Sequence, residues 1–155
     1  MSKVHREARI YFTVGLIFVF DQLLKWLAYS AIDSGIYIIP DVLRFNLYLN
    51  SGVFFALPLA NSYTIIISSI ILIAILLLII RSDRADKEMA VWHYTLIFAG
   101  GFSNFIDRLR LGASIDYINI LPGYLPVFNI GDIMIFIGVI LLVQSWTRRN
   151  KKRNS

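Results

Sequence analysis

The sequence predicts an all-α membrane protein, a four-transmembrane-helix bundle with a small β-rich extracytoplasmic segment. Three observations predict it: an apolar composition, four apolar stretches of spanning length, and a one-sided distribution of lysine and arginine. Of the 155 residues, 57% are hydrophobic and 16% are charged, with a mean hydropathy of +0.67. That leaves too little polar surface to coat a soluble globule of this size. The length suits one integral membrane domain over residues 1–155, and no linker-like stretch divides it. There is no cysteine, so disulfides, thiolate zinc sites and cysteine nucleophiles are excluded.

The predicted spans cover residues 10–29, 63–80, 91–106 and 130–146. The first two are long enough to cross about 30 Å of hydrocarbon at about 1.5 Å per residue. The last two are shorter and imply local thinning of the bilayer or anchoring at their ends. The first span does not read as a cleavable signal peptide, because its apolar run is long, contains Asp21 and Lys25, and is followed by no small-residue cleavage site.

Orientation follows from the basic residues. With both termini and the 81–90 loop in the cytoplasm, all 15 lysines and arginines except Lys25, Arg44, Arg108 and Arg110 lie inside, as the positive-inside rule requires. The basic tail, Arg148 to Arg153, then suits topology and anionic membrane lipid rather than nucleic acid. Residues 30–62 and 107–129 fall outside. In the first of these, two β-rich runs, Ile36-Tyr37-Ile38-Ile39 and Leu43 to Leu49, flank Pro40-Asp41 and predict a small sheet on the outer membrane surface. The second, with Gly112, Pro122-Gly123 and Pro126, reads as a loop rich in Tyr and Leu. Tyr37, Tyr48, Tyr117 and Tyr124 suit either interfacial anchors or parts of a closing lid.

Two acids stand out against this background. Asp116, in Ile115-Asp116-Tyr117-Ile118, lies in the second outer segment, and Asp132 begins the fourth span on the same side. A charged side chain costs about 2.5–3.5 kcal/mol at mid-bilayer, so acids beside apolar spans ask for a functional reason. Two carboxylates at one site cannot both ionise easily. One retains a proton and the other acts as base, the arrangement of aspartyl chemistry. Asp21 and Lys25 are four residues apart on one helical face and are expected to form an intrahelical ion pair, while Asn104, Asp107 and Arg108 share adjoining faces at the outer end of the third span. Ala99 and Ser103 form a small-x-x-x-small pair, and Gly100 and Gly101 suit close helix packing.

Five motifs occur in order along the chain: Asp21-Gln22-Leu23-Leu24-Lys25; Asn50-Ser51-Gly52-Val53-Phe54-Phe55; Gly100 to Arg108; Ile115-Asp116-Tyr117-Ile118; and Phe128-Asn129-Ile130-Gly131-Asp132. On this frame the set resembles the lipoprotein signal peptidase (signal peptidase II) family. The resemblance implies a metal-free, cofactor-free aspartyl endopeptidase of the bacterial cytoplasmic membrane, active at the outer interface. Its partners would be membrane lipid and a diacylglyceryl-modified prolipoprotein, cut just before the lipidated cysteine. It places the catalytic acids on Asp116 and Asp132, and site-supporting or substrate-binding roles on Asp21, Lys25, Asn50, Gly52, Asn104, Asp107, Arg108 and Asn129. Against the family pattern, Phe54 replaces a small residue, Ser103 a common glycine and Gly131 a common alanine, departures expected to bear on pocket shape and substrate preference.

Other chemistries fit less well. A serine–lysine peptidase would use Lys25 as base, but no partner serine is identifiable. A zinc peptidase would need His-Glu-x-x-His, and His5 and His93 fall on the cytoplasmic side. A small transporter using Asp21, Lys25, Asp107 and Asp132 as an ion or proton path would spread its acids through the membrane depth, whereas here they gather on one side.

Overall fold

The computed structural model describes residues 3–31, 35–52, 61–84 and 88–153. Four long helices carry the fold: α1 (Lys3–Ala31), α2 (Asn61–Arg84), α3 (Glu88–Leu111) and α4 (Ile130–Arg153). A three-stranded antiparallel sheet, ordered β1-β2-β3, is built from β1 (Ile36–Ile39), β2 (Leu43–Asn50) and β3 (Ser114–Ile120). The two outer β-runs expected from sequence are β1 and β2, joined by a turn in which Asp41 takes a left-handed φ of 56°.

Three of the helices are long and apolar enough to cross a membrane, over Glu7–Ser30, Ser62–Ser82 and Ile130–Arg148. The expected fourth, residues 91–106, is not among them, for a physical reason. Helix α3 packs against α1, α2 and α4, and it buries His93, Thr95, Ser103, Asn104 and Asp107 against them. A helix walled by other helices does not need an apolar circumference. Helix α2 is the opposite case, with Ile66, Ile70, Ile73 and Leu77 all largely exposed. Helices α3 and α4 are 24 residues each, about 36 Å long, and extend beyond the apolar stretches read from the sequence.

The C-terminal end of α3 and the N-terminal end of α4 are closed by local signals. Gly112 takes φ 77° and donates its N–H to Arg108 O at 3.0 Å, a left-handed C-terminal cap that ends α3. Helix α4 opens on a reciprocal cap in which Asp132 N–H donates to Asn129 Oδ1 at 2.9 Å and Asn129 N–H donates to Asp132 Oδ2 at 3.1 Å. Between these ends the chain forms β3, so the segment read as a loop is a strand and Asp116 sits in a sheet. The β-branched and aromatic residues of Ile115, Tyr117, Ile118 and Ile120 favour that conformation once β2 provides a pairing edge.

Helices α3 and α4 cross in backbone contact. A Cβ added at Gly100 would lie 2.2 Å from Gly131 O, so the packing expected of Gly100 is met by a glycine opposite it. This crossing brings the C-terminal half of α3 beside the first turn of α4.

Candidate active site

Sheet register sets one side of the site. Strands β2 and β3 pair Tyr48 with Asp116 and Asn50 with Ser114, so Asn50 is the diagonal same-face neighbour of Asp116. Asn50 Nδ2 donates to Asp116 Oδ2 at 2.9 Å, and its Oδ1 accepts from Gly52 N–H at 3.0 Å. The other carboxylate oxygen, Asp116 Oδ1, accepts from Asn129 Nδ2 at 2.6 Å.

Asp132 is held from the helical side. Its Oδ1 accepts from Asn104 Nδ2 at 2.8 Å, and its Oδ2 takes the capping bond from Asn129 N–H. Asn129 therefore bonds both acids, one through its side chain and one through its backbone. Its Nδ2 also lies 3.0 Å from Asn104 Oδ1 and 3.1 Å from Ile115 O, so the amide is directed by every element around it. Asn129 and Asp116 are fully buried, and Asp132 is half-buried. Burial, and next the charge of Asp132, push the Asp116 carboxyl up to about 7, against the lowering influence of the Asn50 and Asn129 amides and the Lys25 charge.

A second group of acids lies behind the first. Lys25 Nζ is 3.2 Å from Asp21 Oδ2 on its own helix, as the i,i+4 spacing predicts, but closer to Asp107 Oδ2 on α3, at 2.7 Å. The expected intrahelical pair is thus one arm of an interhelical triad. Ser103 Oγ donates to Asp21 Oδ2, and Tyr117 Oη donates to Asp21 Oδ1 at 2.8 Å. Ile115 N–H donates to Asp107 Oδ2 at 3.3 Å. Lys25 also donates to Ser103 Oγ at 2.9 Å and to Asn104 Oδ1 at 2.8 Å. Asn104 therefore joins the two groups, oxygen toward Lys25 and nitrogen toward Asp132.

Arg108 Nη2 donates to Gly52 O at 2.9 Å and Nη1 to Asn104 O at 3.3 Å. Its Nε is buried without a hydrogen-bond partner among the described residues. Asp132 opens onto a cavity of about 930 Å³ between α2, α3 and α4, with Asn50, Asn104 and Arg108 beside it at the polar end, while Asp116 lies buried behind Asn50. Apolar side chains from all three helices form its walls, among them Ile71 and Ile75 of α2 and Val139 of α4.

Residues 13–148 match the family model described as Signal peptidase (SPase) II. The chain belongs to the signal peptidase II family. It is similar to the lipoprotein signal peptidases of Staphylococcus aureus strains JH9 and Newman, each 33% identical over 132 residues that cover 82% of this chain and 80% of the relative. Among solved structures it resembles a bacterial membrane enzyme determined by the in meso method at 2.3 Å, with a TM-score of 0.82 and 28% identity over 94% of this chain and 91% of that one. A second bacterial membrane enzyme, determined by the same method at 1.9 Å, matches with a TM-score of 0.73 and 29% identity over 90% and 92%. The protein is accordingly a membrane-embedded aspartic endopeptidase.

Every site residue expected from the sequence falls within this connected set of hydrogen bonds. Three features of the set were not foreseen. Tyr117, expected at an interface or in a lid, is fully buried, whereas Tyr124 is 87% exposed. Ser103 bonds Asp21, and a Cβ at Gly131 would lie 3.0 Å from Asn129 Oδ1 and Gly100 O and 3.3 Å from Asp21 Oδ2. Phe54 lies outside the described residues. The reciprocal cap was also legible in principle, since Asn129-Ile130-Gly131-Asp132 before an apolar run has the N-cap-to-N3 spacing.

Proposed function

We propose that this signal peptidase II removes the signal peptide from diacylglyceryl-modified prolipoproteins, cutting just before the lipidated cysteine, with Asp116 and Asp132 as the catalytic pair. The observation that carries this reading is the junction of two carboxylates through Asn129, one of which, Asp132, stands at the polar end of a largely apolar cavity. The named relatives are lipoprotein signal peptidases, and family membership does not favour a transporter. A lipid-anchored substrate stays in the bilayer, so an apolar cavity walled by helices suits its entry better than an aqueous cleft does.

In this mechanism the pair holds one proton. The ionised carboxylate draws a proton from a water as that water attacks the scissile carbonyl, and the protonated carboxyl donates toward the developing oxyanion. The titration belongs to the pair rather than to either acid. Amide donors from Asn50, Asn104 and Asn129 fix the carboxylate planes, so little reorganisation is needed when the peptide arrives. Arg108, with a buried Nε–H to spare among the described residues, donates to the peptide backbone.

We further propose that residues 1–155 form a single peptidase domain with four crossings, α3 serving as the shielded fourth span, and with both termini cytoplasmic in the bacterial inner membrane. The sheet and loops that carry Asp116 then lie at the outer interface.

The deciding experiment incubates purified protein with a lipidated and an unlipidated prolipoprotein. Cleavage of the lipidated form alone is expected, and equal cleavage of both would overturn the substrate assignment. A reporter fused after Arg149 should read as cytoplasmic and one inserted at Gly123 as external. The same side for both would overturn the topology.

A further inference from the structure

Tyr117 follows Asp116 on β3, yet its side chain leaves the catalytic cavity and reaches the helices behind it. Its ring is fully buried and packs on Phe45 with centroids 5.1 Å apart. Its hydroxyl uses both of its capacities. It donates to Asp21 Oδ1 on α1 at 2.8 Å and accepts from Ile130 N–H, in the first turn of α4, at 3.2 Å.

We propose that Tyr117 is a positioning residue for the acid pair: its hydroxyl ties the strand that carries Asp116 to both α1 and the helix start that carries Asp132. This role builds on the assignment of Asp116 and Asp132 as the catalytic pair. The connection is short in sequence on both sides, since Tyr117 adjoins Asp116 and Ile130 stands two residues before Asp132. Asp21 makes a firm anchor because Lys25 and Ser103 hold its other oxygen. Without the hydroxyl, β3 keeps its backbone bonds to Phe128, Tyr117 N–H and Ile118 N–H both donating to Phe128 O. The strand therefore persists, still bonded to the α4 cap through Asn129 Nδ2 at Ile115 O and Asp116 Oδ1, but loses the tether that joins both α1 and Ile130 N–H to it. Catalytic groups respond steeply to misplacement of about 1 Å, so loosening that tether acts on rate before it acts on binding.

The tether can be cut from either end. Tyr117→Phe keeps the ring and removes the hydroxyl. Ile130→Pro removes the N–H at a first-turn position where proline is well tolerated, and comparison with Ile130→Ala isolates the N–H from the side chain. On lipidated prolipoprotein, Tyr117→Phe should lower kcat roughly tenfold with KM little changed. Ile130→Pro should fall below Ile130→Ala, and the Tyr117→Phe/Ile130→Pro double variant should be no slower than Tyr117→Phe carrying Ile130→Ala. Infrared titration of the carboxyl band that Asp116→Asn abolishes should show its midpoint displaced downward in Tyr117→Phe, because loosened acids repel less. If Tyr117→Phe loses thermal stability but keeps the wild-type kcat and carboxyl midpoint, the hydroxyl serves only to satisfy Asp21 and the proposal is overturned. The titration needs no turnover, so it decides the positioning role even if the wild-type protein leaves the prolipoprotein uncut, a result that would defeat only the substrate assignment.

Discussion

Asp21 and Asp107 share one ammonium, whereas Asp116 and Asp132 share one asparagine. In the first group Lys25 lies within 3.2 Å of both acids, and hydroxyl or backbone donors from Ser103, Tyr117 and Ile115 complete the carboxylates. In the second group the direct partners are the Asn50, Asn104 and Asn129 amides and the Asn129 N–H, with no cation bonded to either acid among the described residues. An ammonium compensates buried charge and locks helices together. Neutral amides orient carboxylates while leaving their proton free to move. The first arrangement suits a brace and the second suits a reaction, although both draw on the same residue type.

The comparison breaks most sharply at the second pair. Asp116→Asn and Asp132→Asn should each insert and fold, yet lose cleavage on the order of a thousandfold or more, and the double variant should be little worse than either single one. Near-normal turnover by either variant at matched expression would remove that acid from the catalytic pair. At the first pair the loss should be one of stability. Lys25→Met leaves Asp21 and Asp107 buried without their cation and should destabilise the protein by about 3–5 kcal/mol, read as a drop in melting temperature in detergent. A melting temperature equal to wild type would erase the distinction between brace and reaction centre.

A smaller effect tests the boundary between the groups. If Arg108 holds peptide, Arg108→Ala should weaken capture of a site-occupying peptide inhibitor by about one to two decades, the equivalent of a charged hydrogen bond worth about 1.5–3 kcal/mol. Asp116→Asn should retain that capture. Unchanged inhibitor affinity in Arg108→Ala would assign the guanidinium to holding Gly52 alone.

A further effect is on pH dependence. Burial and the neighbouring Asp132 charge push the Asp116 carboxyl up to about 7, so cleavage should fall about tenfold per unit as pH rises beyond that range and the pair loses its shared proton. Stability has the same sign. Between 3.8 and about 7 the folded state holds a proton that the unfolded chain has released, so stability should decline as pH rises through that window and level off above it. Asp116→Asn should flatten the slope. A wild-type melting temperature that rises with pH across the window would refute the raised carboxyl.

Much of this was written in the linear chain. The apolar stretches marked α1, α2 and α4 as spans because burial in lipid demands apolar side chains wherever a helix faces it, and Asp116 and Asp132 stood out because charge in such surroundings is costly. The same logic says less about α3, whose polar residues are shielded by its neighbours. Whether a face meets lipid or protein is decided only when the helices assemble. Asp116 looked like a loop residue because β3 has little local signal beyond its β-branched residues, and a strand is completed by the partner that pairs with it. Spacing alone placed Lys25 against Asp21, but only the crossing of α1 and α3 could reveal Asp107 as its nearer partner. Tyr117 is the plainest instance. In sequence it is one tyrosine among 8, and its hydroxyl acquires meaning only where α1, β3 and α4 converge. Composition and periodicity thus determine which segments are apolar enough to enter lipid, because those depend on neighbours along the chain. Hydrogen-bond partners depend on distance and direction between segments far apart in sequence, and only the tertiary structure sets those.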